Sequence, residues 1–216
     1  MNAGISMEVL GNLLEKSKIV TKIKINNLTG SGLLCKIPFP DEKNIIPMLV
    51  TCNHILKNED ITQGKMISFT LDNDKKAFEI LIDESRKIYS NKEYDITMLE
   101  IRQSDGLNIE TFLEIDENIF SKNSNEIIKN ELVSLLSYPK GENLSISNGI
   151  IKGIEENGYT IHHLCNTCQG CAGGPILNQN LKVIAIHVGY YKNKNYNIGT
   201  FLKKPIEDFI KQKNNK

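Results

Sequence analysis

The chain has 216 residues, of which 40% are hydrophobic, and its 26 basic and 26 acidic side chains cancel to a formal net charge of zero. The chain therefore lacks the excess positive charge that favours binding to nucleic acid or to an anionic membrane surface. No run of about 18 apolar residues occurs, so a membrane-spanning helix is not expected. The sequence therefore predicts one large or two small globular domains, with neither nucleic acid nor membrane as a partner.

The cysteines and the N-terminus predict a cytoplasmic location. The first 16 residues carry a short apolar patch, but no basic segment followed by an apolar core, so they do not resemble a signal peptide. An odd number of cysteines without an export signal is typical of reduced thiols in the cytoplasm. The five cysteines are Cys35, Cys52, Cys165, Cys168 and Cys171.

Short β-rich runs separated by turn signals follow one another along most of the chain, as in a sandwich or barrel. The first group of predicted strands comprises 20–25, 32–37, 48–51, 66–71, 78–82 and 95–101. The second group comprises 131–137, 145–154, 159–164, 174–177, 183–188 and 197–201. Apolar residues recur at helical spacing in 5–16 and 205–213, so a helix is predicted at each end of the chain.

The segment from about 103 to 130 is polar and acidic, which is typical of a linker between the two groups of strands. The expected fold is all-β, with two six-stranded antiparallel β-barrels, an N-terminal helix and a C-terminal helix. The predicted parts are an N-terminal helical extension at 1–18, a first barrel at 19–110, a linker at 111–130, and a second barrel with the C-terminal helix at 131–216.

The segment Gln169-Gly170-Cys171-Ala172-Gly173-Gly174-Pro175 is the most informative stretch of the chain. Glycines permit a tight turn and let the backbone aim amide N–H groups at a developing oxyanion. The segment resembles the nucleophile loop of trypsin-like serine proteases, Gly-x-Ser-Gly-Gly-Pro, with alanine in place of the serine.

Three upstream segments extend the resemblance to this family in the expected chain order. They are Gly30-Ser31-Gly32-Leu33-Leu34, Leu49-Val50-Thr51-Cys52-Asn53-His54-Ile55-Leu56, and Tyr94-Asp95-Ile96-Thr97-Met98-Leu99. Histidine, aspartate and nucleophile in that order is the order of chymotrypsin rather than subtilisin. The resemblance covers about 30–201 and is nearest in its motifs to glutamyl endopeptidase-like and bacterial trypsin-like peptidases, which implies the double-barrel fold.

The resemblance implies a role for each residue of the site. A serine at position 172 would attack the scissile carbonyl, His54 would take its proton, and Asp95 would orient the imidazole. The backbone N–H groups of Gly170 and of residue 172 would form the oxyanion hole. The implied function is a serine endopeptidase that acts on proteins or peptides without a cofactor.

Ala172 makes this copy of the chain inactive as a protease. Because His54, Asp95 and the glycine frame are all kept, we interpret Ala172 as an engineered replacement of the nucleophilic serine. The alternative is a natural pseudoprotease that serves as a peptide-binding or regulatory module. Cys171 is not expected to replace the serine, since a shift of one residue on a tight turn points the side chain elsewhere.

Further residues near the loop suggest what the cleft binds. In glutamyl endopeptidase-like enzymes, a threonine and a histidine at the offsets of Thr167 and His187 bind the acidic side chain before the cleaved bond. Asn166 stands where trypsin-type enzymes carry an aspartate, so a preference for Lys or Arg is not expected. We predict a preference for Glu, then Asp or Gln, with Gly189 also in the binding set. The alternative is that His187 only packs under the second barrel.

The spacing Cys165-x-x-Cys168-x-x-Cys171 could also suggest a metal site, with His162 or His163 as a fourth ligand. These positions fall on the strand and loop that would line the substrate cleft, so free thiols are expected and no metal is predicted. The N-terminal helix is expected either to contact a regulatory protein or neighbouring domain, or to cap a barrel.

Overall fold

A computed structural model of the chain describes residues 7–26, 28–39, 41, 44–191 and 193–214. It consists of two barrel-like β-sheets, with a helix at each end of the chain, which confirms the predicted fold class. No helix in the described part of the chain is long and apolar enough to cross a membrane. The first residues of the predicted N-terminal helix, including Ile5, lie outside the described residues.

The first sheet is an open half-barrel rather than the six-stranded barrel that the sequence predicts. Its path runs β5-β4-β1-β2-β3-β7-β6, and β8 pairs in parallel with β2. The strands are β1 (Val20–Ile25), β2 (Leu28–Pro38), β3 (Ile45–Thr51), β4 (Met66–Leu71), β5 (Lys76–Leu81), β6 (Ile88–Asn91), β7 (Ile96–Glu100) and β8 (Leu113–Glu114).

Two of these strands, β6 and β8, were not predicted. The strand β6 has four residues, of which only Tyr89 is buried, so it lacks a clear apolar alternation. The strand β8 has two residues and forms only where the chain passes β2. Both elements depend on pairing with a neighbour, which leaves little local signal in the sequence.

The second sheet closes into a six-stranded barrel in the order β10-β11-β14-β13-β12-β9, as predicted. The strands are β9 (Leu132–Ser137), β10 (Ser145–Ile154), β11 (Thr160–His163), β12 (Pro175–Leu177), β13 (Val183–Tyr190) and β14 (Asn197–Phe201). Each overlaps a predicted strand, because a short β-rich run bounded by turn residues is a local signal that the sequence carries.

The segment between the two sheets is ordered rather than a bare linker. It forms short 3-10 turns at Gln103–Asp105, Ile109–Thr111 and Glu117–Phe120, and a single helical turn, α2 (Ser124–Ile127). Several of its apolar side chains, including Phe112 and Ile119, are buried in the core. The domain boundaries at residues 18, 110 and 130 stay a prediction.

The two terminal helices differ in how firmly they pack. In α1 (Met7–Ser17) the apolar side chain of Leu13 is buried, whereas Leu14 is half exposed, so only part of the predicted apolar face is covered. The C-terminal helix, α3 (Lys203–Asn214), buries Phe209 completely. The Phe209 ring lies 5.0 Å from that of Phe39, so α3 ties the end of the second barrel to the first sheet.

Candidate active site

His54 projects from a tight turn that directly follows β3. The amides of Ile55 and Leu56 both donate to the carbonyl oxygen of Cys52, at 3.2 and 3.0 Å, and this closes one helical turn. The side-chain amide of the buried residue Asn53 donates to the Ser90 hydroxyl at 2.7 Å, and this hydrogen bond fixes the turn to β6. The side chain of His54 is left 46% exposed and can therefore reach a bound molecule.

Asp95 holds His54 through two contacts. One carboxylate oxygen accepts the backbone N–H of His54 at 2.8 Å, and the other lies 2.6 Å from its ring Nδ1. Because an ionised carboxylate only accepts hydrogen bonds, the ring proton belongs on Nδ1. The neutral imidazole then presents the lone pair of Nε2, which is the form that can take a proton from a nucleophile.

The backbone at Asp95 is held in an unusual conformation. Its φ is +48°, in the left-handed region that non-glycine residues seldom occupy. The carbonyl oxygen of Tyr94 accepts the hydroxyl of Thr200 on β14 at 2.6 Å, and the Tyr94 hydroxyl donates to Asp208 on α3 at 3.0 Å. The second barrel and the C-terminal helix therefore fix the residue that precedes Asp95.

Glycines allow the 169–175 loop to dock on the first sheet. Gly170 and Gly173 have φ values of +93° and +86°. A Cβ on Gly173 would overlap the carbonyl oxygen of Ser31 and would lie 2.5 Å from the Thr51 hydroxyl oxygen. Ser31 donates from its backbone to the Ala172 carbonyl at 2.7 Å and from its side chain to the Gly170 carbonyl at 2.8 Å. The Gly30-Ser31-Gly32 motif was noted in the sequence, but nothing in it indicated that Ser31 binds the 169–175 loop.

Three backbone amides of the loop have no hydrogen-bond acceptor among the described residues, those of Gln169, Gly170 and Ala172. The amide of Cys171, by contrast, donates to the Cys168 carbonyl at 3.2 Å. The Gln169 carbonyl accepts the Lys140 amide at 2.6 Å. Since the carbonyl and N–H of a trans peptide point in opposite directions, this bond turns the Gly170 N–H away from Lys140. The unpaired amides thus include both of those that the sequence predicts for an oxyanion hole, Gly170 and Ala172.

A single carbonyl joins the His54 turn to the Ala172 loop. The His187 carbonyl oxygen accepts the amide of Gly173 at 2.7 Å and the thiol of Cys52 at 3.3 Å. Cys52 precedes His54 by two residues, and Gly173 directly follows Ala172. The structure therefore brings the three predicted catalytic positions to the junction between the two sheets.

A cleft of about 440 Å³ lies between the segments 164–168 and 190–197. Asn166 and Thr167 both line it, and their role in substrate binding stays a prediction. Gly189 lies near the end of β13, where an added Cβ would meet no atom within 4 Å. His187 is only 2% exposed and is not part of the cleft lining.

His187 pairs with a second buried histidine. Its Nδ1 lies 3.0 Å from Nε2 of His163, and the Cys165 amide donates to Nδ1 of His163 at 3.3 Å. Burial lowers the pKa of His163 to about 4 and that of His187 to about 3. Both rings are therefore neutral at neutral pH, with His163 as the donor and a single N–H left on Nε2 of His187. No signal in the sequence indicated that His163 is the partner of His187.

The five cysteines are free thiols, and Cys168 is the exposed one. In the described part of the chain, the three donor side chains that approach within 4.8 Å of one another are those of Cys52, His54 and Asp95. The Cys52 thiol and the His54–Asp95 pair are already engaged in the hydrogen bonds described above.

The fold is shared with serine endoproteases of known structure. The crystal structure of the serine endoprotease from Yersinia pestis matches with a TM-score of 0.69 and 15% identity, over 97% of this chain and 69% of that chain. The inactive form of a serine-to-alanine mutant of Rv3671c from M. tuberculosis H37Rv matches with a TM-score of 0.62 and 16% identity, over 98% and 94%. Identities this low establish the fold alone.

Sequence comparison gives the family. No curated protein sequence matches the chain. The profile of the trypsin-like peptidase domain, however, matches residues 31–186, which include His54, Asp95 and Ala172 and amount to well over half of the chain. The chain therefore belongs to the trypsin-like peptidase family.

Proposed function

We propose that the chain carries the active site of a trypsin-like serine endopeptidase, which lacks only its nucleophile because position 172 is alanine. The observation that supports this most strongly is the two-point hydrogen bonding between His54 and Asp95 beside the Ala172 loop. With a serine at 172, His54 would act as general base and later as general acid, and Asp95 would stabilise the imidazolium.

The amides of Gly170 and of residue 172 are proposed as the oxyanion hole. Donors of this kind stabilise the negative charge that develops on the carbonyl oxygen, and the loss of one costs about 10²- to 10³-fold in kcat. The loss of the nucleophile costs more, on the order of 10⁶-fold in kcat. The chain with Ala172 is therefore expected to bind a peptide without cleaving it.

The test restores the nucleophile. Ala172→Ser should react with a fluorophosphonate probe and hydrolyse a peptide, whereas the unchanged chain should do neither. The double variant Ala172→Ser/His54→Ala is the control, because it keeps the serine but removes its base. A folded Ala172→Ser protein that the probe does not label would overturn the enzyme proposal.

That last outcome would favour a second candidate function, a natural pseudoprotease that binds peptides. Ala172 itself is the observation that favours it. Such a module would hold an extended peptide in the same cleft, with backbone hydrogen bonds along an exposed strand edge.

For the restored enzyme we propose a preference for Glu, then Asp or Gln, before the scissile bond. Asn166, Thr167, His187 and Gly189 remain the proposed substrate-binding residues. A positional peptide library on Ala172→Ser tests the preference, and cleavage after Lys or Arg would contradict it. We further propose a reducing compartment such as the cytoplasm, because all five cysteines are free thiols.

A further inference from the structure

The proposed preference for an acidic side chain raises a question of charge, because a carboxylate is bound best by a charged donor. His187 cannot supply that charge. Burial and the neighbouring His163 keep its ring neutral, and its side chain lies outside the cleft lining. A neutral N–H can donate to a glutamine amide oxygen as well as to a glutamate carboxylate, and it brings no positive charge to offset the carboxylate.

The other predicted donor, Thr167, is already engaged. Its hydroxyl donates to the side-chain oxygen of Asn197 at 3.0 Å, and the amide nitrogen of Asn197 donates to the Cys165 carbonyl at 2.6 Å. The backbone N–H of Asn166 donates to the Ser147 hydroxyl at 2.6 Å. On this wall of the cleft, these donors are turned toward the protein rather than toward a bound side chain.

The opposite wall carries an amino group. We propose that Lys194 selects a carboxylate side chain in this cleft, and that it is the charged specificity residue of the site. This inference rests on the proposed function, since it assumes that the cleft holds the residue before the scissile bond. Among the described residues that line the cleft, Lys194 is the one with a charged side chain.

Two aromatic rings hold the Lys194 ammonium at the cleft. Its nitrogen lies 5.2 Å from the ring centroid of Tyr191 and 5.3 Å from that of Tyr196, within the range of cation–π attraction. These two rings are themselves in edge-to-face contact at 6.0 Å. The ammonium has three donors, so these ring contacts leave N–H groups for a ligand.

The surroundings keep Tyr196 in place and Lys194 charged. The Tyr196 ring stacks on His162 at 4.1 Å, and Nε2 of His162 lies 2.7 Å from a carboxylate oxygen of Glu155. Interaction with Tyr196 raises the pKa of Lys194, and the more distant Glu155 carboxylate acts in the same direction. The cleft therefore presents a stable positive charge on a wall that is otherwise uncharged among the described residues.

The chain as it stands is suited to the test, because Ala172 permits binding without cleavage. Three fluorescein-labelled peptides would differ only in one central residue, Glu, Gln or Lys, and their binding would be measured by fluorescence anisotropy. We expect the Glu peptide to bind about tenfold more tightly than the Gln peptide, as is typical of one charge-assisted hydrogen bond. The Lys peptide should bind most weakly.

Variants then assign the preference to one residue. Lys194→Gln should bring the Glu and Gln peptides to equal affinity, while Lys194→Arg should retain the preference. Lys152→Gln is the matched control, because Lys152 is an exposed lysine on β10 that does not line the cleft, and it should retain the preference. A full Glu preference in Lys194→Gln, or its loss in Lys152→Gln, would overturn the assignment.

The pH dependence and the binding itself give two further outcomes. A preference carried by Lys194 should be constant from about pH 6 to pH 9, since a lysine stays charged throughout that range. A preference that disappears near pH 6 to 7 would indicate an imidazole and overturn the proposal. If no peptide binds and Ala172→Ser is unreactive, both this inference and the proposed function fail. If the Glu peptide is preferred in every variant, only the assignment to Lys194 fails.

Discussion

The hydroxyl of Thr200 donates a hydrogen bond of 2.6 Å to the carbonyl oxygen of Tyr94, and this contact joins the closed barrel to the residue before Asp95. The catalytic aspartate of the proposed triad lies on the first sheet, but its left-handed backbone is supported by the second. Docking of the two sheets and orientation of His54 should therefore be coupled.

Thr200→Val is expected to weaken that coupling. The substitution keeps the shape of the side chain but removes the donor to Tyr94, which should lower the free energy of unfolding by about 1–2 kcal/mol. The Nδ1 proton of His54 should also exchange faster, as seen in the NMR spectrum of its ring, because Asp95 is held less firmly. Thr200→Ser keeps the hydroxyl and is the control. Unchanged ring signals in Thr200→Val would contradict the coupling.

The buried histidine pair should make the fold sensitive to acid. An unfolded histidine binds a proton below about pH 6.5, whereas folded His163 and His187 stay neutral down to about pH 4 and 3. Between these values the unfolded state binds more protons, so the free energy of unfolding falls as the pH drops. The slope should be about 1.4 kcal/mol per pH unit for each histidine.

Urea titrations between pH 4 and 8 measure this slope. His163→Gln removes one of the two titrating groups, so the slope below pH 6.5 should fall by about half. At pH 8 the same variant should lose on the order of 1–3 kcal/mol, because the Nδ1 of His187 loses its partner. An unaltered slope in His163→Gln would show that this pair does not cause the acid sensitivity.

Gly173→Ala should severely destabilise the protein. Its Cβ would overlap the Ser31 carbonyl, in addition to the cost of a positive φ. Gly64 has a similar φ of +83°, but an added Cβ there meets nothing within 4 Å. Gly64→Ala should therefore cost about 1–2 kcal/mol, and Gly173→Ala more than about 4 kcal/mol. Equal midpoints of urea unfolding for the two variants would refute the steric argument.

Cys168 should be the first cysteine to react with iodoacetamide. It is exposed, while the other four thiols are buried, and burial raises the pKa of Cys165 to about 11 and that of Cys171 above its usual value. Mass spectrometry of the folded protein should show one rapid adduct, and Cys168→Ser should abolish it. Because Cys168 lines the cleft, the adduct should also weaken peptide binding. Rapid labelling of Cys171 would contradict the described burial.

The strands of the second barrel, the two terminal helices and the glycine loop could all be predicted from the sequence. These features depend on local signals, such as short β-rich runs between turn residues, helical spacing and glycines at tight turns. The short strand β6 was not predicted. It has four residues with one buried side chain, so it carries little sequence signal and depends on pairing with β7.

In the candidate site, too, some features could be predicted from the sequence and others could not. The order of His54, Asp95 and the Ala172 loop identified the family from sequence, because these residues belong to contiguous motifs. Other contacts join residues far apart in the chain, such as Ser31 with Gly170, 139 positions away, and His163 with His187. Such contacts depend on strand register and on how the two sheets dock, which no local pattern specifies.

The sequence by itself determined the double-sheet fold, the family and the presence of alanine at the predicted nucleophile position. Only the tertiary structure decided which donors face the cleft. It buries His187 beside His163, turns the Thr167 hydroxyl toward Asn197, and places Lys194 on the same cleft as Asn166 and Thr167. The physical reason is that charge and hydrogen-bonding capacity at a site depend on burial and on neighbours from distant segments, whereas residue type alone fixes only what a side chain could do.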